Sequence, residues 1–167
     1  MMDSIDRDKY YMKSVVTREW WPAKWANYNS WFENIAIPKL QSLDVEGTMI
    51  FTGVYTGEDY SRLKKLFPKL NIIGIDAVKY TDEDIIVEDV RTYLPSISTE
   101  IDIMWNGIGP WPWSEDTKLS CFLYAKQHLN PGGLYIDHIH TVRDKPIIAN
   151  DPAFRIVDEK FFMMEKI

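Results

Sequence analysis

The spacing of apolar residues changes several times along the chain, and each change predicts an element. Residues 24–42, "KWANYNSWFENIAIPKLQS", place Trp25, Tyr28, Trp31, Phe32 and Ile35 three to four apart. That spacing draws one apolar stripe and predicts a helix packed on a sheet. Pro38 is expected to kink or end it. The pattern then alternates. "TMIFTG" (48–53), "NIIGID" (71–76), "DEDIIVEDV" (82–90), "EIDIMWNG" (100–107) and "LYIDHIH" (134–140) are short, nearly continuous apolar runs that read as buried strands. Between them, "EDYSRLKKLFP" (58–68) and "SEDTKLSCFLYAKQHL" (114–129) carry helical spacing, the second opening on a capping pattern at Ser114. Asn130-Pro131-Gly132-Gly133 predicts a turn, and "FRIVDE" and "KFFMMEKI" predict two antiparallel neighbours at the C-terminal end.

Continuous apolar strands alternating with helices predict an α/β fold whose mostly parallel sheet is covered on both faces. The expected architecture is a Rossmann-like, doubly wound sheet with a C-terminal antiparallel hairpin. It forms one domain over 1–167, with residues 1–44 as a helical cover and 45–167 as the core. In such sheets ligands sit outside the carboxyl ends of the strands, where strand order reverses. Geometry therefore selects Gly53–Gly57, Asp76, Asp89, Asn106 and Asp137–His140 as candidate functional positions.

Composition narrows this picture. With 167 residues, 46% hydrophobic and 26% charged, the chain has the make-up of one globular domain. A net charge of −6 argues against a broad nucleic-acid footprint. The single Cys121 excludes an internal disulfide. The polar start "MMDSIDRDKYY" lacks a signal peptide's apolar core, and no apolar run reaches membrane-spanning length, so a cytoplasmic protein without membrane partners is expected. The seven tryptophans fall at 20–31 and 105–113.

Gly53 and Gly57 allow positive φ and close backbone approach, and the helix beyond them offers amide donors. Asp76 ends the next strand, where a carboxylate can accept both hydroxyls of a ribose. Asp89, at the third strand tip, can accept from an adenine amino group. Together these three strand ends point to a nucleoside ligand. Tyr55 stands where a dinucleotide turn would carry glycine, which disfavours a pyrophosphate.

These segments resemble the class I S-adenosylmethionine-dependent methyltransferases over roughly residues 45–140. "GVYTGEDYS" is most similar to the first motif of the cation-dependent O-methyltransferases related to caffeoyl-CoA and catechol methyltransferases, in which an aromatic at the middle position is ordinary. "NIIGID" resembles the second motif, "VEDVRTYLP" the third, and "LNPGGLYI" the turn leading into the fifth strand. The resemblance implies S-adenosylmethionine as cofactor, held by Gly53, Val54, Tyr55, Thr56, Gly57, Asp76, Ala77, Asp89, Val90 and Asn106.

Departures from that family are equally specific. Phe51 replaces an acid that helps hold the methionine end of the cofactor. The family's metal ligands align with Asn106 and Asp137-His138. This set holds one carboxylate, so it makes a weak divalent site, and adding His140 suits a transition metal better. The family's lysine base falls at Gly109.

"WNGIGPWPW" (105–113) forms a stiff aromatic wall expected to face a substrate, with Trp111 and Trp113 in it and Trp21, from "REWWP", as a lid. His138 and His140 alternate along a strand, so at most one faces the substrate. His138, with Asn106 and Asp137, makes the candidate catalytic set, because imidazole suits a base near neutral pH. The expected activity is methyl transfer to an oxygen or nitrogen of a small molecule. The alternatives are a binding protein of the same fold without transfer, and an enzyme that degrades the cofactor. The C-terminal run "FFMMEKI" could offer a dimerising edge.

Overall fold

The computed structural model describes residues 28–108, 115–137, 146–159 and 162–167. Trp21, Trp25, Gly109, Trp111, Trp113, Ser114, His138 and His140 lie outside them.

Seven strands form one sheet in the order β3-β2-β1-β4-β5-β7-β6. They are β1 (Gly47–Thr52), β2 (Leu70–Asp76), β3 (Ile86–Val87), β4 (Ile101–Asn106), β5 (Leu129–Asp137), β6 (Phe154–Asp158) and β7 (Met163–Lys166). The first five run parallel, and β7 pairs antiparallel with both β5 and β6. The α/β, Rossmann-like expectation with an antiparallel C-terminal hairpin is the observed fold. The helices are α1 (residues 28–42), α2 (Glu58–Leu66), α3 (Val90–Ser96), α4 (Glu115–His128) and α5 (Pro146–Ala149).

Side chains alternate between two cores, as a pleated sheet requires. Met49, Phe51, Ile103, Trp105, Leu134, Ile136 and Met163 face α1 and α2. Ile50, Ile75, Met104, Tyr135 and Met164 face α3 and α4. On the first face, α1 buries Tyr28, Trp31 and Phe32, with Trp31 and Phe32 both set edge-on to Trp105 at 5.9 and 5.7 Å. Burying one large apolar side chain contributes about 1.5–3 kcal/mol, so this contact is a major part of how α1 is held.

Four elements differ from the sequence expectation. Ile35, expected on the buried stripe of α1, is 38% exposed, and Ala36, Ile37 and Leu40 are buried instead. The cause is a π-turn over Phe32–Ala36, where Ile37 N–H donates to Phe32 O. One wider turn moves the buried face on by a residue. Pro38 neither ends nor breaks the helix, which continues through Ser42. The third strand shrinks from 82–90 to Ile86–Val87, because Asp89 leaves the sheet to cap α3. Helix α3 itself was not expected, since Pro95 sits inside its short length. The predicted turn at Asn130–Gly133 is a bulge within β5. Pairing resumes with Ile103 opposite Leu134 after Ile101 opposite Leu129.

Candidate functional site

Strand β1 leaves the sheet through three residues in the left-handed region: Gly53 (φ 68°), Tyr55 (φ 53°) and Gly57 (φ 82°). Glycine at 53 is dictated by the chain's own backbone. A Cβ there would lie 2.7 Å from the Gly107 carbonyl carbon, and one on Gly107 would lie 2.6 Å from Thr52 O. The two glycines let the exits of β1 and β4 touch, and Gly107 N–H donates to Thr52 O at 2.8 Å. A non-glycine residue in the left-handed region costs about 1–2 kcal/mol. At Tyr55 that cost is offset by a hydrogen bond from its N–H to Asp76 Oδ2 at 2.9 Å. Gly57 begins α2 without a side-chain cap, and Glu58 and Asp59 in the first turn complement its dipole.

Asp76 therefore stands at the tip of β2 with its carboxylate fixed on the first turn. Val78 N–H donates to its other oxygen at 3.3 Å. A carboxylate presents about four acceptor positions, so a half-buried acid held here fits the hydroxyls of a ribose. Ala77 follows it, half-buried, and Val54 is buried below the turn. An open cleft of about 740 Å³ borders the same turn, lined by Thr56, Ser61, Lys79, Thr81 and Glu83 among others.

Asp89 is committed differently. Its carboxylate caps α3 by accepting Arg91 N–H at 2.9 Å and pairs with the Arg91 guanidinium. The hydrogen bond from the Arg91 side chain holds the carboxyl below its usual range. An adenine amino group would have to share it with Arg91. Val90, beside it, is buried in the core facing α3 and α4.

At the adjoining strand tips a second group assembles. Thr52, Asn106 and Asp137 occupy matching positions on β1, β4 and β5 and share one face. All three are fully buried. Thr52 Oγ1 donates to Asn106 Oδ1 at 3.0 Å, and Ile108 N–H donates to the same oxygen at 3.3 Å. Asn106 Nδ2 donates to Tyr135 Oη at 3.2 Å and to Asp137 Oδ2 at 3.3 Å. Lys118, from α4, donates to both Asp137 oxygens at 3.0 and 3.1 Å. Burial pushes the Tyr135 phenol well above its usual range, and the Asp137 charge adds to this. Burial likewise pushes the Cys121 thiol up to about 12, against a hydrogen bond with Thr52.

On the opposite face, Phe51 is stacked on Trp105 at 5.6 Å and 12° and is packed in the core. It offers no polar group at the end of β1. Among the described residues, buried Trp105 Nε1 meets no hydrogen-bond partner.

The structure thus brings Gly53–Gly57 against Asp76, and Asn106 against Asp137, while Asp89 faces Arg91. Sequence reading missed Thr52, Tyr135, Arg91 and above all Lys118. The signal for Lys118 was its spacing, because it precedes Cys121, Phe122 and Ala125 on one buried helical face. As metal ligands, Asn106 and Asp137 do not fit. Asp137 carries an ammonium on both oxygens, and Asn106 turns its nitrogen toward it. Ile108 N–H fixes that amide orientation, since a backbone donor cannot become an acceptor. Among the described residues, no group of three or more His, Cys, Asp or Glu is arranged to hold a metal ion. No helix among them is long and apolar enough to cross a membrane.

No protein-family model matches this sequence, and no curated protein matches it. Solved structures do share the fold. An S-adenosyl-L-methionine methyltransferase from Silicibacter pomeroyi DSS-3 has a TM-score of 0.58 at 14% identity, covering 78% of this chain and 87% of that one. Human methyltransferase-like protein 13, crystallised with SAH, has a TM-score of 0.53 at 15% identity, covering 77% and 74%. MycE, a methyltransferase of mycinamycin biosynthesis crystallised with Mg, SAH and mycinamycin VI, scores 0.51 at 17% identity. That alignment covers 87% of this chain and 47% of MycE. The fold is that of S-adenosylmethionine-dependent methyltransferases.

Proposed function

We propose that the chain binds S-adenosylmethionine outside the carboxyl ends of β1, β2 and β4 and directs methyl transfer to an oxygen or nitrogen of a small molecule. The observation that carries this reading is Asp76. An acid at the tip of β2 is fixed to the left-handed turn after β1, beside the point where strand order reverses. In this reading Asp76 accepts the ribose hydroxyls, the Gly53–Gly57 turn forms the floor, and Ala77 and Val90 supply apolar contacts. Bound there, the cofactor supplies a methyl group on a sulfonium that is already a good leaving group. The protein's part is then mainly alignment of the acceptor with that methyl, which can supply much of a rate enhancement. Trp21, Trp111 and Trp113 are proposed as the substrate cover, and His138 as the base for a hydroxyl or amine. Calorimetry with S-adenosylhomocysteine on the full chain tests the reading, and no binding at millimolar ligand would overturn it.

One observation favours a second reading, in which the fold binds the cofactor without transferring its methyl. Phe51 packs into the aromatic core at the position where the resembling family holds the methionine end with an acid. Binding of S-adenosylhomocysteine, with no methylated product across a panel of hydroxyl and amine acceptors, would select it.

A further inference from the structure

The Lys118–Asp137 pair is the most deeply buried ion pair among the described residues. Asp137 is 0% exposed and Lys118 is 5% exposed. Isolated burial of either charge is strongly unfavourable, so each is held by the other. Their described neighbours extend the pair into a network. Asn106 and Tyr135 both donate to Asp137 Oδ2, and Thr52 and Ile108 donate to Asn106 Oδ1. Among the described residues, Lys118 and Asp137 are the charged groups of this buried cluster. A divalent ion entering here would add two uncompensated charges beside an ammonium.

We propose that the Lys118 ammonium is the built-in cation of the strand tips, neutralising Asp137 and holding the Asp137–Asn106 pair in place of a divalent metal. The lysine is a positioning residue. It acts on Asn106 and on the ends of β4 and β5 through Asp137. The fixed charge makes this end of the sheet indifferent to metal supply. The inference stands on the network alone and holds whether or not methyl transfer occurs.

The test is thermal unfolding of the full chain with EDTA, MgCl2 or CaCl2, comparing wild type, Lys118→Met, Asp137→Asn and the double variant. The wild-type midpoint should not move with chelator or metal. Each single variant should lose on the order of 10 °C, because the buried ion pair and its hydrogen bonds are broken from one side. The double variant, whose pair is neutral, should recover most of that loss. Calcium should raise the midpoint of Lys118→Met, whose Asp137 has lost the Lys118 ammonium, and should leave the double variant unchanged. A purely structural lysine would not produce that response. A metal response in wild type, or indifference of Lys118→Met to calcium, overturns the proposal. Should Lys118→Met not fold, the double variant decides: folding without metal supports the proposal, and failure to fold overturns it.

Discussion

The backbone N–H of Tyr55 donates to the carboxylate of Asp76 across 2.9 Å, tying the turn after β1 to the tip of β2. One side chain thus sets a left-handed backbone and presents an acid at the same crevice. Asp76→Ala should weaken S-adenosylhomocysteine binding by about 1–3 kcal/mol, roughly 5- to 150-fold, as expected when charge-assisted hydrogen bonds are lost. Titration calorimetry measures this, and unaltered affinity would remove Asp76 from the ribose site.

Gly53→Ala should be more damaging than its chemistry suggests. Residue 53 has φ 68°, and the added methyl would meet Gly107 backbone atoms at 2.7–2.8 Å. Gly57→Ala also has positive φ, but its methyl meets the Thr81 side chain, which can rotate away. Urea unfolding should rank Gly53→Ala as the less stable variant, with a loss of at least about 2 kcal/mol.

Trp31→Ala should cost about 3–5 kcal/mol by opening a cavity against Trp105 and leaving Asp158 without the indole donor. Trp31→Phe, which keeps the edge-on ring, should recover more than half of this. The measurement is the denaturant midpoint at constant slope.

Asp89 predicts an acid-sensitive increment. Arg91 lowers its folded-state pKa, so its contribution is fully present above the unfolded value near about 3.9 and is lost as pH falls through the folded value. Asp89→Asn retains a capping side chain but removes the charge. With Arg91 38% exposed, the difference from wild type at pH 7 should be at most about 1 kcal/mol. It should shrink as pH falls below the unfolded value, as read by urea unfolding at neutral and acid pH.

Cys121 should resist alkylation. Its thiol is fully buried and pushed up to about 12, so almost no thiolate exists at pH 8. Mass spectrometry after iodoacetamide should show no adduct in folded protein and a complete one in denaturant.

The strand-and-turn framework was legible because it is written locally. Continuous apolar runs marked β1, β2, β4 and β5, and acids at strand tips marked Asp76 and Asp137. What escaped depends on geometry and partners that residue spacing does not name. Ile35 alternates correctly for an α-helix, and only the π-turn upstream of Pro38 turns it outward. Asp89 reads equally as a strand tip and as a helix cap, and the guanidinium of Arg91 decides between them. Lys118 meets Asp137 on the following strand, so no local spacing names its partner.

The insertion of β7 between β5 and β6 has a consequence for biosynthesis. Met163 and Met164 complete both cores, and they are the last large side chains to do so. In a newly made chain whose β7 has not yet docked, the border of β5 that faces it is open and apolar. That border is an adhesive seam, and its closure depends on how quickly β7 threads between β5 and β6.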